Sequence, residues 1–392
     1  MPDTAAGTAT AFPPSILATA APAIPAARAW AATYRGAAGP AIDLTQAVPG
    51  YPPHPDLLVR LGEEAARAAN AGYGPIEGEP ALRAALAADL ARRYRAPLDA
   101  ADVVITAGCN LAFVMTMTAI AGPGAAVLLP APWYFNHHMA LTMLGIATIP
   151  LPCRPEDGFV PDPEKAEALI DGRTRALVLV TPNNPTGAVY PPATMAAFAA
   201  PAAERGIMLV LDETYRDFLP GDAPPHGEFA DPNWRDGLVH LYSFSKSYCV
   251  PGHRVGAIVA GPAIRAQLLK VLDTLQICAP RAAQAALAWA VPALASWRAA
   301  NRDVMAARAT AFRRAFATVR DWRIDALGGY FAYLRLPEAA PDALATAERL
   351  GAERGLMTLP GPFFGPGQER HLRLAFANAD EATITQVPAR LG

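Results

Sequence analysis

The sequence predicts an α/β fold, with a large three-layer αβα domain around a mostly parallel sheet and a smaller α/β domain built from the C-terminal part and the N-terminal segment. Three observations carry this reading. Apolar, β-branched runs of strand length alternate with helical patterns from about Pro55 to Ala279, most of these runs stop at Gly, Pro, Asn or Asp clusters, and 392 residues are enough to bury a substantial core. Strands that alternate with helices pair in parallel, and the helices cover both faces of their sheet.

Taken in order, the first 40 or so residues are rich in Ala and Pro. They are expected to form an arm that packs on a partner subunit or closes over a site, or else a disordered tail. Residues 1–50 are assigned to this arm and part of the small domain, 51–280 to the large domain, and 281–392 to a bridging helix and the small C-terminal domain. Strands are expected at Val103–Ala107, Ala126–Pro130, Ile146–Leu151, Leu177–Thr181, Ile207–Asp212, Leu238–Ser243 and Val255–Ala260. After the first of these, Gly108-Cys109-Asn110 reads as a tight turn and Leu111–Ile120 as an apolar helix capped near Asn110, a place where backbone donors and the helix dipole bind phosphate well. A long helical stretch runs from Arg281 through Phe316, and the strand Tyr330–Leu336 follows.

Composition excludes several classes of function. A formal net charge of -2 and a pI near 6.4 argue against a nucleic-acid surface. Val103 to Cys153 contains no Asp, Glu, Lys or Arg, but Gly122-Pro123-Gly124 and Ala131-Pro132 interrupt it, so it reads as a buried core and not a membrane span. The start lacks the basic region of a secretory signal, and a cytoplasmic protein is expected. Cys109, Cys153, Cys249 and Cys278 are scattered without paired spacing, so free thiols are the default. His137 and His138 lack a carboxylate or cysteine cluster of zinc-like spacing, and no metal is expected.

The chemistry begins at Lys246, which follows the apolar run Val239–Phe244 in Ser243-Phe244-Ser245-Lys246. Ligands in parallel sheets bind beyond the carboxyl ends of the strands. An amine held there in a partly desolvated pocket loses its proton more easily and can attack a carbonyl to form a Schiff base. Two other runs end alike, one at Pro182-Asn183-Asn184-Pro185-Thr186-Gly187 and one at Asp212-Glu213-Thr214-Tyr215, so three strand ends present an amide, a carboxylate and an amine. Arg254 follows Lys246 closely, as a phosphate ligand would. This is the set that pyridoxal phosphate requires: a lysine for its aldehyde, a carboxylate to keep its ring nitrogen protonated, donors for its phenolic oxygen, and an arginine for its phosphate.

Asn184-Pro185-Thr186-Gly187, Asp212-Glu213-Thr214-Tyr215 and Ser243-Phe244-Ser245-Lys246, in that order and with Tyr73 and Arg373 beside them, resemble the class I/II aminotransferases of the fold-type I pyridoxal-phosphate family over nearly the whole chain. The resemblance implies that Lys246 is the Schiff-base lysine and proton carrier. Asp212 becomes the partner of the pyridine nitrogen, Asn184 and Tyr215 the donors to the phenolic oxygen, and Arg254 and Ser243 phosphate ligands, with Gly108, Cys109 and Asn110 as a further phosphate seat. Tyr134 matches the aromatic residue stacked on the ring, with Trp133 as the adjacent competitor. Arg373 matches the clamp for the substrate's α-carboxylate, a task suited to a planar guanidinium. Tyr73 matches a tyrosine that reaches the cofactor phosphate of the neighbouring subunit, which implies a homodimer. His137 either supports Asp212 from behind, as in some relatives, or simply packs in the core.

The chain also departs from the family. Ala47 occupies the place of a glycine near the substrate carboxylate, and Thr274 the place of the arginine with which dicarboxylate-specific members bind a side-chain carboxylate. Arg281 could substitute for that arginine or pair with a surface carboxylate. The expected donor is therefore a neutral amino acid, aromatic or aliphatic, with 2-oxoglutarate or pyruvate as acceptor. The alternatives on the same scaffold are carbon–sulfur β-elimination and, more remotely, a non-catalytic ligand-binding protein.

Overall fold

The computed structural model describes residues 12–392, so the expected N-terminal arm is seen from Phe12 and its first part lies outside the described residues. Strand β1 (Ile42–Asp43) comes first in the chain. Seven strands follow: β2 (Val103–Thr106), β3 (Ala126–Ala131), β4 (Ala147–Pro152), β5 (Thr174–Val180), β6 (Met208–Asp212), β7 (Leu238–Ser243) and β8 (Gly256–Ala260). They make one sheet in the order β2-β8-β7-β6-β5-β3-β4. Pairing is parallel except on the two sides of β8, so the mostly parallel sheet expected from the alternation is present.

Successive side chains on a strand point to opposite faces, and this sheet buries both. Leu177, Leu179, Leu209, Leu211, Ala257 and Val259 enter one apolar cluster, covered by helices Pro55–Ala66, Pro80–Tyr94, Pro192–Glu204 and Arg281–Ala293. Their neighbours Ala176, Val178, Val210, Ile258 and Ala260 enter the other, under helices Cys109–Ile120, Phe135–Met143 and Pro262–Leu275. Apart from the buried His240 of β7, the strands in the middle of the sheet are thus apolar at consecutive positions, which is why these runs read as continuous and not alternating.

The remaining strands are β9 (Arg323–Gly328), β10 (Phe331–Arg335), β11 (Leu356–Met357), β12 (Leu359–Pro360) and β13 (His371–Leu374). β12-β13-β10-β9 is an antiparallel sheet, and β1 pairs in parallel with β11, which brings the N-terminal segment into the small C-terminal unit as expected. Ile42, Leu44, Phe312, Phe316, Leu334 and Leu372 share its core.

Strand ends shift by up to three residues from the sequence reading, and two helix boundaries differ in ways that matter to the site and the domain join. The helix expected from Leu111 begins at Cys109 and is capped by Gly108, which takes φ +95. A side chain at Gly108 would meet the Arg254 guanidinium, so glycine is required by both conformation and space. The stretch from Arg281 to Phe316 is two helices, Arg281–Ala293 and Ala295–Phe316, joined at Leu294 shortly after Pro292. The first packs on the large sheet's helices, while Phe312 and Phe316 of the second belong to the small core.

A buried ionic cluster ties the two parts together. Arg298, near the start of the longer helix, donates to Asp89 at 2.8 Å and to Asp217 at 3.2 Å, and Arg216 donates to Asp89 at 2.7 Å. Burial raises the Asp217 pKa, but Arg216 and Arg298 outweigh it and bring the group down to about 2. A carboxylate with a depressed folded pKa stabilises fully above its unfolded value and loses that contribution as pH falls through the folded one. Asp217→Asn leaves two buried guanidiniums under-compensated, and is expected to cost about 3 kcal/mol at neutral pH. Urea unfolding of variant and wild type checks this: the gap should close as pH falls from about 4 toward 2.

Candidate active site

All the parallel strands deliver their carboxyl ends to one edge of the sheet, and β8, which runs the other way, starts there: Gly256 lies beside both Thr106 and Ser243. Arg254 just before β8 therefore stands against Gly108 after β2 and lines one cavity with residues that follow β5, β6 and β7. The edge opens into a cavity of about 500 Å³ whose walls include Cys109, Asn110, Tyr134, Asn184, Asp212 and Tyr215. Ser243, Lys246, Arg254, Arg373 and Ala47 complete the set anticipated from the sequence. Gly108 stands behind Arg254 and not in the wall, and Tyr73 lies outside the cavity with 81% of its surface exposed.

Lys246 sits in the short helix Phe244–Ser247, whose first turn is held by Ser243 Oγ accepting from the Ser245 amide at 3.3 Å. Its Nζ donates to the Ala47 carbonyl at 2.5 Å. Burial, then the positive charges of Arg254 and Arg373, lower its pKa to about 8. The amine is thus substantially neutral just above physiological pH. Ala47 contributes a backbone carbonyl, which its methyl group does not obstruct.

Asp212 ends β6 with donors on both oxygens. Its Oδ1 accepts from the Thr214 amide at 3.0 Å and the Thr214 hydroxyl at 2.7 Å, and His137 Nε2 lies 3.1 Å from Oδ2. Burial raises the pKa of this carboxyl, yet the His137 and Thr214 contacts together hold it below the usual carboxylate range. His137 stacks on Phe113 at 3.8 Å between ring centroids, so it packs in the core and supports Asp212 at once.

Arg373 on β13 is buried, donates from Nη1 to Asn184 Oδ1 at 3.2 Å and from Nη2 to the Thr45 carbonyl, and lies over the rings of Phe331 and Phe364. Burial lowers its pKa to about 10, and its Nε has no partner. Tyr134 lines the cavity and donates to Asn110 Oδ1 at 3.3 Å, whereas Trp133 is outside the cavity wall and stacks on His138 at 4.8 Å.

An amine, a carboxylate, an amide, a phenol and two guanidiniums from segments far apart in sequence make a site for covalent work on a small anionic carbonyl compound. Residues 40–391 match the family described as aminotransferase class I and II. The chain belongs to this family. The arginine–pyruvate transaminase AruH of Pseudomonas aeruginosa is 31% identical over 323 residues, 82% of this chain and 81% of that one. The aspartate/prephenate aminotransferase of Thermus thermophilus is 30% identical over 358 residues, 87% of this chain and 88% of that one. The structure of Thermus thermophilus aspartate aminotransferase with maleate superposes with a TM-score of 0.88 at 25% identity, over 97% of this chain and 99% of the other.

Several walls of this aminotransferase's cavity escaped the sequence reading. Thr214 and Ser245 lie inside motifs already quoted, and their bonds are local: the Thr214 hydroxyl donates to Asp212 and the Ser245 backbone amide to Ser243 Oγ, each two residues back. Gln46 adjoins Ala47, and Asn136 donates to the Tyr134 hydroxyl at 2.9 Å. Ile24 had no signal. It belongs to helix Ala23–Ala31, which packs on Leu359 and Phe364 of the same chain and so brings the described part of the arm over the site. Arg281 is engaged elsewhere, with Glu79 at 2.6 Å, and is not in the wall.

Proposed function

We propose that this aminotransferase holds pyridoxal phosphate through Lys246 and moves an amino group between a neutral L-amino acid, aromatic or aliphatic, and a 2-oxo acid. The observation that carries the reading is the convergence of Lys246, Asp212, Arg254 and Arg373 on one cavity. The residues fit the cofactor: the Arg254 guanidinium occupies the space left by the missing side chain of Gly108 at a helix start, and the buried carboxylate of Asp212 lines the same cavity. Lys246 would hold the aldehyde, Asp212 the ring nitrogen, Asn184 and Tyr215 the phenolic oxygen, and Arg254, Ser243 and the helix start at Cys109–Asn110 the phosphate, with Tyr134 against the ring. When bound, the cofactor supplies an aldehyde for covalent attachment and an electron-withdrawing ring that acidifies the substrate's α-proton.

The chain's own residues do the rest. The low pKa of Lys246 lets its Nζ take up and return a proton near neutral pH. Arg373 presents a buried planar fork to the α-carboxylate, with the rings of Phe331 and Phe364 against it. Arg373→Lys keeps the charge and loses the fork, and is expected to lower kcat/KM by about a hundredfold, chiefly through KM, which steady-state kinetics on one amino donor would measure.

A neutral donor is supported by the absence, in the described cavity wall, of any arginine or lysine beyond Arg254, Arg373 and Lys246. Arg28, which donates to Gln46 at 3.1 Å, also pairs with Asp43 at 3.6 Å. Thr274 spends its hydroxyl on the Lys270 carbonyl. The two relatives above are named for arginine with pyruvate and for aspartate with prephenate, so side-chain preference varies within the family.

The working unit is a homodimer in this reading. Tyr73, Leu275 and Ile277 are exposed large side chains of a kind that association would cover, and Tyr73 is assigned to the partner's cofactor phosphate.

The test is the absorption spectrum of the protein with pyridoxal phosphate before and after single amino acids. Conversion to the pyridoxamine form by neutral donors is the expected result. A strong preference for aspartate refutes the substrate class, and release of ammonia with a keto acid in the absence of an acceptor replaces transamination with β-elimination.

A further inference from the structure

A second polar cavity, of about 350 Å³, opens between helix Pro80–Tyr94 and helix Ala295–Phe316, away from the active cavity. Its floor is the buried ionic cluster: Asp89 and Asp217 compensate Arg216 and Arg298. Its rim is not balanced. Arg92 also leans on Asp89, so that one floor carboxylate serves three guanidiniums; Arg302 pairs with Asp222, whose side chain is 90% exposed, and Arg93 has a carbonyl but no carboxylate beside it among the described residues.

The arginines converge to an unusual degree. Arg93 Nη1 and Arg302 Nη1 donate to the same carbonyl, that of Gly221, at 3.2 and 3.0 Å, which puts the two positive head groups within about 6 Å of each other. Like charges that close repel unless an anion lies between or beside them. Two guanidinium nitrogens in the wall are also buried without any acceptor, Arg93 Nε and Arg298 Nε, and the Arg298 side chain is only 8% exposed. A buried charged donor left unpaired costs more than an ordinary lost hydrogen bond. The cavity therefore combines excess positive charge, unused buried donors and room for a small ligand.

We propose that this cavity is a binding site for a phosphate dianion, free or as the ester of a small metabolite, held by Arg93, Arg298 and Arg302 with Arg92 at the mouth. A dianion matches the cluster as a whole, in which Arg92, Arg93, Arg216, Arg298 and Arg302 face Asp89, Asp217 and Asp222, and tetrahedral oxyanions suit guanidinium forks. The ligand would join helix Pro80–Tyr94 of the large unit to the helix that leads into the small one. The site is also linked to the Lys246 segment, because Asp217 accepts hydrogen bonds from Tyr242 and from Ser247, the residue after Lys246.

The experiment is calorimetric titration of the enzyme saturated with pyridoxal phosphate, using inorganic phosphate and, separately, glycerol 3-phosphate. Saturable binding of one ion per chain is expected, weakened about tenfold or more in Arg93→Gln/Arg302→Gln, with turnover unchanged. Both side chains give up only bonds to a loop carbonyl and an exposed carboxylate, so the fold should survive. Asp222→Asn provides an independent arm, since removal of the competing carboxylate should tighten binding about threefold. Tighter binding of the ester than of inorganic phosphate identifies a phosphorylated metabolite as the source, and the reverse identifies free phosphate. Binding that is identical in the double variant belongs to the active cavity and overturns the proposal, as does the absence of saturation in wild type.

Discussion

Lys246→Ala is expected to lower turnover by about 10⁴-fold or more, because in the proposed reaction one change removes both the covalent anchor and the group that carries the proton. The structure makes this residue hard to replace. Lys246 is the only lysine in the wall of the described cavity, and its Nζ is placed by the Ala47 carbonyl and by a helix turn pinned at Ser243. Borohydride reduction followed by peptide mass analysis should find the cofactor's mass on the Lys246 peptide in wild type and nowhere in the variant. Labelling of another lysine, or turnover within tenfold of wild type, would defeat the assignment.

The same amine sets a pH dependence whose sign follows from its surroundings. Burial and the charges of Arg254 and Arg373 favour the neutral form and bring the pKa to about 8. Only neutral amine attacks an aldehyde. Capture of pyridoxal phosphate by the cofactor-free protein should therefore quicken about tenfold per pH unit below that value and level off above it. Arg254→Gln removes a charge that holds the pKa down, so the midpoint should move upward, which stopped-flow absorbance can follow. A midpoint that stays put would mean that burial and Arg373 set the value without Arg254.

What the sequence made legible was mostly what lies at strand ends. Lys246, Asp212 and Asn184 each follow an apolar run, and a parallel sheet brings such ends together whatever lies between them. Helix starts were less legible: the choice between Asn110 and Gly108 as cap turns on a positive φ and on the nearness of Arg254, a residue 146 positions later in the chain. Tyr134 and Trp133 could not be ranked without knowing which side of the turn faced the cavity. Asp89, Arg216 and Arg298 were invisible as a cluster, because isolated charges on three distant segments read as solvated surface until packing buries them together. Ile24 was hidden for a related reason: Ala- and Pro-rich composition says little about where a helix will dock.

Asp212→Asn is expected to lower kcat by about 10³-fold while leaving the protein folded. The carboxylate's negative charge is what would hold a proton on the ring nitrogen, and an amide of the same shape cannot supply it. The fold should tolerate the change because His137 can accommodate it. Its Nδ1 is buried without a partner, so the ring can carry its proton there and accept at Nε2 from the new amide. Thr214 can keep donating to the remaining oxygen. His137→Gln separates charge from support, since it leaves Asp212 ionised but less firmly held; a loss of about 10- to 100-fold is expected there, by analogy with groups that orient a ligand from behind. Loss of carboxylate support should also let the Asp212 pKa climb, because burial then acts with less opposition, so the acid limb of the kcat profile should move to higher pH in His137→Gln and be absent in Asp212→Asn. Equal losses in the two variants with identical pH profiles would mean that His137 and Asp212 act only as packing, and the assignment of Asp212 to the ring nitrogen would fall.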